Sequence, residues 1–272
     1  MIATRRLDPR DPIPVRETVL LGALGLLAFL GVWSAVTLSG LVPKLFLPAP
    51  WEVVARFTDL LQQPFAGFTL PEHLAASFGR YAMGFGLAVL IGVPLGLLLG
   101  WFAPVFSALN PFIQILRPIS PIAWIPVAIL WFGVKDTAPI FLIFLASVFP
   151  ITVSATAAVQ NMQPVYLRAA QNFGLSRTEL FRRVIFPSCL PQIITGLRIA
   201  LGIAWLVVVA AEMIAVNSGL GYLIIDARNA GKRYDLVVAG MVMIGLIGLV
   251  LDLLIRRLEN FDEVRWGYAN RR

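Results

Sequence analysis

Cysteine and histidine each occur only once in this 272-residue chain, as Cys189 and His73. One cysteine cannot form an intrachain disulfide, and a metal site built from spaced Cys and His ligands is excluded. The chain has no G-x-S-x-G or H-E-x-x-H pattern, and the Gly231-Lys232 pair lacks the upstream glycine of a phosphate-binding loop. We therefore expect no catalytic residues, no metal ligands and no cofactor bound by this chain.

Charged residues are also scarce, at 14% of the chain against about 25% in a typical soluble protein. Hydrophobic residues make up 58% and come in unbroken runs, which is typical of membrane proteins. The net charge is +7, but few basic residues remain once the flanks of these runs are set aside, and no basic stripe is interleaved with aromatic residues. The composition favours an integral membrane protein that binds no nucleic acid.

Six runs approach the about 20 residues that a helix needs to cross the hydrocarbon core of a bilayer. The first is too long for a signal peptide and is followed by further runs, so we interpret it as an uncleaved helix. Since helices satisfy every backbone group inside lipid, the expected fold is all-α and polytopic, with six transmembrane helices. The predicted spans are residues 19–38, 80–101, 112–133, 138–160, 192–215 and 236–256.

The distribution of Lys and Arg predicts the orientation, because cytoplasmic loops carry an excess of both. With the N-terminus inside, the excess falls on the inner segments, and both termini are cytoplasmic. The predicted regions are a cytoplasmic segment at 1–18, a first helix with an outer loop at 19–79, a core membrane region at 80–256 that includes a cytoplasmic loop at 161–191, and a cytoplasmic tail at 257–272.

The outer loop contains the stretch LPAPWEVVARFTDLLQ, which predicts a helix lying in the membrane interface. Helical spacing places apolar side chains on one face, and a tryptophan suits headgroup depth. The residues on this predicted face are Trp51, Val54, Phe57, Leu60 and Leu61.

The third predicted span is irregular, since RPISPIAWIP places prolines at 118, 121 and 126. Each proline removes a backbone donor and disfavours helix in the residue before it. The span is either a kinked helix packed against its neighbours or a broken helix that lines a polar path. In the second span, glycines at 92, 96 and 100 form a stripe that predicts close approach of another helix.

The fifth predicted span carries Arg198, Trp205 and Glu212, each seven residues apart and therefore nearly on one helical face. Charge at membrane depth is costly. Either Arg198 extends toward the inner surface and Glu212 caps the outer end, or the face borders a solute path. In the sixth span, Asp252 is expected to pair with Arg256 one turn later.

The stretch RAAQNFGLSRTELFRRVIFPSCLP is a polar island between two apolar runs. We predict two short helices here. The first begins at Pro164 and stops at Gly174 in a left-handed conformation. The second begins at Ser176, where Glu179 completes a capping box, and ends at Pro187.

The second of these helices is predicted to have a buried face and an exposed basic face. Such a compact basic surface favours docking of a soluble partner, with a helix resting on anionic lipid as the alternative. The predicted buried residues are Leu180, Phe181, Val184 and Ile185, and the predicted exposed residues are Arg182 and Arg183.

The island resembles the EAA loop in the permease subunits of ABC importers, whose pattern is E-A-A, three residues, G, nine residues, I-x-L-P. Ala169, Ala170, Gly174 and Pro187 match in register, and Arg168 stands where the family usually has Glu. The segments LPAPWEV, IGVPLGLLLG, ILRPISPIAWIPVAILWFG, GLRIALGIAWLVVVAAEM and GLGYLIIDARN are similar to the sulfonate, taurine, nitrate and bicarbonate branch of type I importers.

This resemblance implies a permease in a bacterial inner membrane that carries a small anion. It implies a second permease copy, two cytoplasmic ATPase subunits that bind ATP and Mg²⁺, and an extracytoplasmic binding protein. The implied ATPase-coupling residues are Arg168, Ala169, Ala170, Gly174, Glu179, Phe181, Arg182 and Pro187, and the candidate path residues are Arg198, Trp205 and Glu212.

Two other classes compete with this interpretation. An ion-coupled secondary transporter would use Arg198, Glu212 and Asp252 as coupling sites, but the inverted or parallel repeats of such transporters are not evident. A membrane scaffold would carry no solute with any partner.

Overall fold

A computed structural model describes residues 15–43, 46–62, 64–229 and 233–258. These residues are almost entirely helical, and Phe65 and Phe68 form an isolated antiparallel bridge. The helices of the described residues are α1 (Val15–Leu38), α2 (Pro50–Gln62), α3 (Leu70–Trp101), α4 (Ala103–Leu116), α5 (Ile125–Phe132), α6 (Thr137–Gln160), α7 (Pro164–Asn172), α8 (Arg177–Glu179), α9 (Phe186–Ala215), α10 (Leu220–Asn229) and α11 (Tyr234–Leu258).

Five helical segments are long and apolar enough to cross a membrane. These are α1, α3, α6, the continuous stretch from α8 into α9, and α11. A further candidate is the pair α4 and α5, which is joined through a 3₁₀ turn at Pro121–Trp124 and bent by 85°. The expected all-α polytopic fold is confirmed.

Helices α3 and α6 pack in parallel along the predicted glycine stripe. A Cβ atom added at Gly92 would lie 3.0 Å from Ile151, and one added at Gly100 would lie 2.6 Å from Val159. Both pairs are offset by the same number of residues, so the two helices run side by side in the same direction. The absence of side chains on this stripe is what allows the two backbones to approach.

The parallel packing shows that the bent pair connects the two ends of the bundle. α3 ends at Trp101 and α6 begins at Thr137, so these two residues lie at opposite ends of the bundle. The contact between α3 and α6 follows the axis for at least about 24 Å, from Gly84 to Gly100. The chain must return over this distance through α4 and α5, so the bent pair counts as the sixth candidate span in the described residues.

The third predicted span, at 112–133, is divided between two helices and begins earlier than predicted. α4 begins at Ala103, and Pro121 and Pro126 each stand in the first two positions of a new helical segment, where a missing backbone donor costs nothing. The structure therefore favours the broken helix. The second span also begins earlier than predicted, at Leu70 instead of residue 80.

Helix α9 runs antiparallel to α3 and α6, and α11 packs beside α9. At one end of the bundle lie α7, α8 and the start of α9, and we call residues 164–187 the elbow and this end the elbow end. The opposite end, where α9 meets α10, is called the far end. The main buried apolar cluster joins α6, α9, α10 and α11 through residues such as Leu142, Val208, Leu223 and Ala239.

The predicted apolar face of α2 is divided between two sides of the helix. Val53 and Leu60 are buried, because this side of α2 packs against the protein, including α11. Trp51, Val54 and Leu61 remain more than half exposed. Leu60 was therefore placed on the wrong side, while the exposed side keeps the apolar character expected of an interfacial helix.

Candidate functional site: the elbow and a buried polar cluster

The elbow begins as predicted, with α7 starting at Pro164 and stopping before Gly174. Gly174 has φ +69°, the left-handed conformation that glycine adopts without steric cost. Its N–H donates to Gln171 O at 3.0 Å, and the Leu175 N–H donates to Ala170 O at 3.2 Å. This pair of bonds is a Schellman motif, which satisfies carbonyls that the end of the helix leaves without partners.

The capping box at the start of α8 is also confirmed. The Ser176 N–H donates to Glu179 Oε2 at 3.1 Å, and the Glu179 N–H donates to Ser176 Oγ at 3.3 Å. The two helices therefore meet at a turn whose backbone groups are bonded on both sides. Gly174 is the residue of this turn whose backbone has the left-handed conformation.

The second elbow helix does not end at Pro187, contrary to the prediction. Residues Leu180–Ile185 form a π-helical segment, and the Phe186 N–H bonds to Phe181 O before α9 continues. A proline ring clashes with the carbonyl four residues earlier in a regular α-helix. The wider π turn accommodates Pro187 next to the segment, so the helix runs on from Arg177 to Ala215.

The elbow is anchored in the bundle on one side. Ala170 and Ile185 are buried, and Ile185 belongs to a cluster with Leu97 of α3, Val159 of α6 and Cys189 of α9. The elbow is therefore packed against α3, α6 and α9 on this side. Movement of the elbow must be shared with them, because packed interiors have no free volume to absorb it.

The opposite side of the elbow is exposed. Arg182 and Arg183 are exposed, as predicted, and Arg168 and Ala169 are exposed as well. Phe181, which was predicted to be buried, is 42% exposed and lines a groove beside the end of α3. Phe173, at the end of α7, is 84% exposed.

The three candidate path residues of α9 have different surroundings. Glu212 is fully buried, and Trp205 is 5% exposed, with its Nε1 donating to Ile244 O of α11 at 3.1 Å. Arg198 lies 3.2 Å from Asp252 Oδ1 and lines a groove of about 630 Å³ between α9 and α11. The expected Asp252–Arg256 pair cannot be compared, since the Arg256 side chain lies outside the described residues.

Glu212 is part of a buried polar cluster at the far end, centred on Arg80 of α3. Arg80 Nη1 lies 2.7 Å from Glu212 Oε1 and donates to Ser218 O at 2.8 Å. Arg80 Nη2 also donates to Ser218 Oγ, and Nε donates to Asp136 Oδ1 at 2.9 Å. Arg80 is only 4% exposed and joins α3 to α9 and to the residues that precede α6 and α10.

The same cluster receives the N-terminus of α10. The Gly219 N–H donates to His73 Nδ1 at 3.1 Å, so the other ring nitrogen carries the proton and donates to the Phe65 carbonyl at 3.0 Å. The Leu220 N–H donates to Ser77 Oγ at 2.9 Å.

Glu212 Oε2 completes the capping of α10. It accepts from the Ser77 hydroxyl at 2.8 Å and from the Gly221 N–H at 3.1 Å. Side chains of α3 and α9 thus satisfy the backbone donors that begin α10, and a carboxylate at a helix N-terminus is electrostatically favoured.

The prediction from sequence assigned Glu212 but missed its partners. No role was assigned to His73 or Arg80 from the sequence, whereas both are buried in this cluster. A signal was present, because His73, Ser77 and Arg80 follow the i, i+4, i+7 spacing of one helical face. That face continues in the small residues Gly84 and Ala88, which are also buried. In the described part of the chain, no three His, Cys, Asp or Glu residues are grouped to hold a metal ion.

Comparisons with known proteins agree with this architecture. Residues 92–261 match the family described as binding-protein-dependent transport system inner membrane component. The chain is 40% identical to the taurine transport system permease protein TauC of Escherichia coli K12, over 94% of this chain and 92% of that protein. It is 35% identical to the nitrate import permease protein NrtB of Leptolyngbya laminosa, over 86% and 84% of the two chains.

A further relative is the bicarbonate transport system permease protein CmpB of Synechocystis, which is 36% identical over 90% of this chain and 89% of that protein. Among solved structures, the fold is similar to the MetNI methionine ABC transporter in an inward-facing conformation, with a TM-score of 0.59 and 16% identity over 67% of this chain and 91% of that chain. A bacterial alginate ABC transporter in complex with its periplasmic protein gives a TM-score of 0.58 at 17% identity, over 90% and 96% of the chains.

Proposed function

Because the chain belongs to the family of binding-protein-dependent transport system inner membrane components, we propose that it forms the path of an importer for a small anion and that its elbow docks a separate ATPase. The chain is the permease subunit of an ABC importer, and its relatives support this function over ion-coupled transport. In this family, ATP hydrolysis belongs to a partner subunit. ATP and Mg²⁺ would therefore bind there and not on this chain.

The observation that carries the docking proposal is the construction of the elbow. Its capped helices are anchored through Ala170 and Ile185, while Arg168, Phe181 and Arg182 are exposed. Exposed aromatic and Arg side chains are enriched where proteins bind each other. Arg168 stands in place of the usual Glu, so contact at this position would need an acceptor on the ATPase, such as a carboxylate or a backbone carbonyl.

The proposed assembly has two copies of this chain, two ATPase subunits at the elbows and a binding protein at the far end. This arrangement requires the elbow end and both termini to be cytoplasmic. Closure of the ATPases would displace the elbows, and the helix that continues from Arg177 to Ala215 would carry the displacement across the membrane. The exposed side chains of the elbow suit docking of the ATPase, and the helix that continues from the elbow suits transmission of the displacement.

The proposed solute is a small anion of the sulfonate, nitrate or bicarbonate type. Three relatives at 35–40% identity are named as permeases for taurine, nitrate and bicarbonate. We propose that the face with Arg198, Trp205 and Glu212 borders the path. Arg198 supports this proposal, because it is a partly exposed guanidinium beside a groove at membrane depth.

The solute is tested by cellular uptake of labelled taurine, nitrate and bicarbonate, measured with and without the transporter genes. The ion whose uptake depends on the genes is the solute. If the uptake of each of the three ions were the same with and without the genes, the proposal of an anion importer of this branch would be refuted.

The elbow is tested by Gly174→Pro. Proline fixes φ near −65° and cannot donate, so it is incompatible with φ +69° and with the N–H bond to Gln171. We expect the variant to insert in the membrane but to lose co-purification of the ATPase. Gly174→Asn, which tolerates the left-handed conformation, should retain the ATPase.

The matched control for this test is Gly40→Pro. Gly40 also has positive φ, at +73°, but lies between α1 and α2, away from the elbow. Co-purification of the ATPase should survive this change. Full recovery of the ATPase with Gly174→Pro would contradict docking at the elbow.

A further inference from the structure

A groove with a volume of about 1060 Å³ lies between the last turns of α3 and the elbow. One wall contains Leu98 and Trp101 of α3, and the other contains Gln171, Arg177 and Phe186. Small-molecule sites in proteins have volumes of about 300–1,000 Å³, so this groove could hold a large apolar ligand.

The groove extends to membrane depth. From Trp101 back to Val93, the α3 wall covers about 12 Å along the helix axis, and the wall from Arg177 to Phe186 covers a similar length. Leu98 is 43% exposed and Trp101 is 42% exposed, although both lie at the end of a membrane-spanning helix. A groove with such walls is filled by lipid or by another protein segment, because apolar walls at this depth do not retain water.

The charge of the lining indicates which occupant fits. Among the described residues that line the groove, none carries a carboxylate, and Arg177 is the single cation. Arg177 begins the helix that enters the membrane, so its guanidinium lies at the end of the groove farthest from the hydrocarbon core. Gln171 adds an amide donor nearby on α7. Apolar walls topped by a guanidinium and an amide fit an acyl chain below and a phosphate group above.

We propose that this groove binds one anionic phospholipid from the leaflet at the elbow end, with its phosphate on Arg177 and an acyl chain along α3. The lipid would contact both α3 and the elbow and would fill the space between them. This site adjoins the surface proposed for the ATPase, because Phe181 lines the groove and is also part of that surface, whereas Arg168 and Arg182 lie outside the groove. It requires only that the chain spans a membrane and does not depend on the identity of the solute.

The test uses the complete permease–ATPase complex in nanodiscs of phosphatidylcholine mixed with phosphatidylglycerol, followed by native mass spectrometry of the lipids that remain bound. The wild type should retain phosphatidylglycerol in preference to phosphatidylcholine. Arg177→Gln should lower this preference about fivefold, which corresponds to about 1 kcal/mol for one basic residue at the membrane surface. Leu98→Trp should lower retention of both lipids by filling the groove.

Two matched controls separate the site from general effects. Arg183→Gln removes the same charge from an exposed arginine outside the groove, and Leu90→Trp adds the same bulk to an exposed position of α3 outside the groove. Both should retain lipid as the wild type does. A fall in preference for Arg183→Gln equal to that of Arg177→Gln would overturn the proposal in favour of a diffuse basic surface.

Three other results would also overturn the proposal. One is equal retention of the two lipids by the wild type. Another is a disulfide between Leu98→Cys and a cysteine placed on a second copy of the chain, which would identify the occupant as protein. The third is increased lipid retention after deletion of residues 259–272, which would make the chain's own tail the occupant. Because none of these measurements uses ATP hydrolysis or transport, their failure would not affect the proposed function.

Discussion

Removing Arg80 should destabilise the protein more than removing any exposed arginine. In Arg80→Gln, Glu212 would remain fully buried and would keep only the Ser77 hydroxyl at 2.8 Å and the Gly221 N–H at 3.1 Å. Loss of one member of a buried ion pair costs about 3–5 kcal/mol, because the remaining charge has no counter-ion. We expect a loss of this size in the free energy of unfolding.

The reciprocal change, Glu212→Gln, should cost less. Arg80 would keep Asp136 Oδ1 at 2.9 Å and the carbonyl of Ser218 at 2.8 Å, so its charge would still be compensated. Loss of a hydrogen bond to a charged group costs about 1.5–3 kcal/mol. The double variant should cost less than the sum of the two single changes, with a coupling of about 0.5–3 kcal/mol, since the two groups are in direct contact.

Denaturant titration of the purified permease gives the required free energies, with Arg56→Gln as the control. Arg56 also pairs with two carboxylates, Asp59 and Asp235, but its side chain is 40% exposed, and exposed ion pairs contribute about 0–1 kcal/mol. If Arg80→Gln were no more destabilising than Arg56→Gln, the cluster would not hold the far end together. Strict additivity of the Arg80 and Glu212 changes would likewise refute the direct pair.

Two further predictions concern the helices that surround this cluster. Gly96→Ala should destabilise the permease by about 1–3 kcal/mol, because the new Cβ would lie 2.5 Å from both Thr152 O and Ala155 Cβ. The control Gly86→Ala meets no atom within 4 Å and should be neutral or slightly stabilising. Thermal denaturation compares the two variants, and equal melting temperatures would contradict the close α3–α6 packing. Trp205→Ala should reduce solute uptake while the ATPase still co-purifies, and unchanged uptake would assign this face of α9 to packing alone.

The parts of the structure that the sequence predicted correctly depend on neighbouring residues. The stop at Gly174 and the capping box at Ser176 involve bonds over three to five positions, so the local pattern contains them completely. The end at Pro187 was predicted by the same local rule and was wrong. A proline breaks a regular α-helix, but the rule does not anticipate a preceding π segment that makes room for the ring.

The parts that could not be predicted depend on contacts between distant segments. Arg80 and Glu212 are 132 positions apart, and their charges look unfavourable when each helix is considered alone. The predicted second span therefore began at residue 80 and left out His73 and Ser77, although both are buried together with Arg80. A polar face can be buried in the core when another helix supplies the complementary polar groups. The sequence of α3 alone does not show that α9 supplies them, nor does the sequence of α9 alone show the face on α3.

The two sites are connected by one continuous helix, and this connection limits how the elbow can act. The helix from Arg177 to Ala215 begins within the elbow and ends beside Glu212, so a rigid displacement at one end must reach the cluster at the other. Leu180–Ile185 is the irregular, π-helical part of this helix, and helices commonly bend at such segments. Yet Ile185 is buried against α3 and α6, which restrains bending where the backbone would permit it. The displacement is therefore shared by α3, α6 and α9 together, the same three helices whose far ends meet around Arg80 through Asp136 and Glu212.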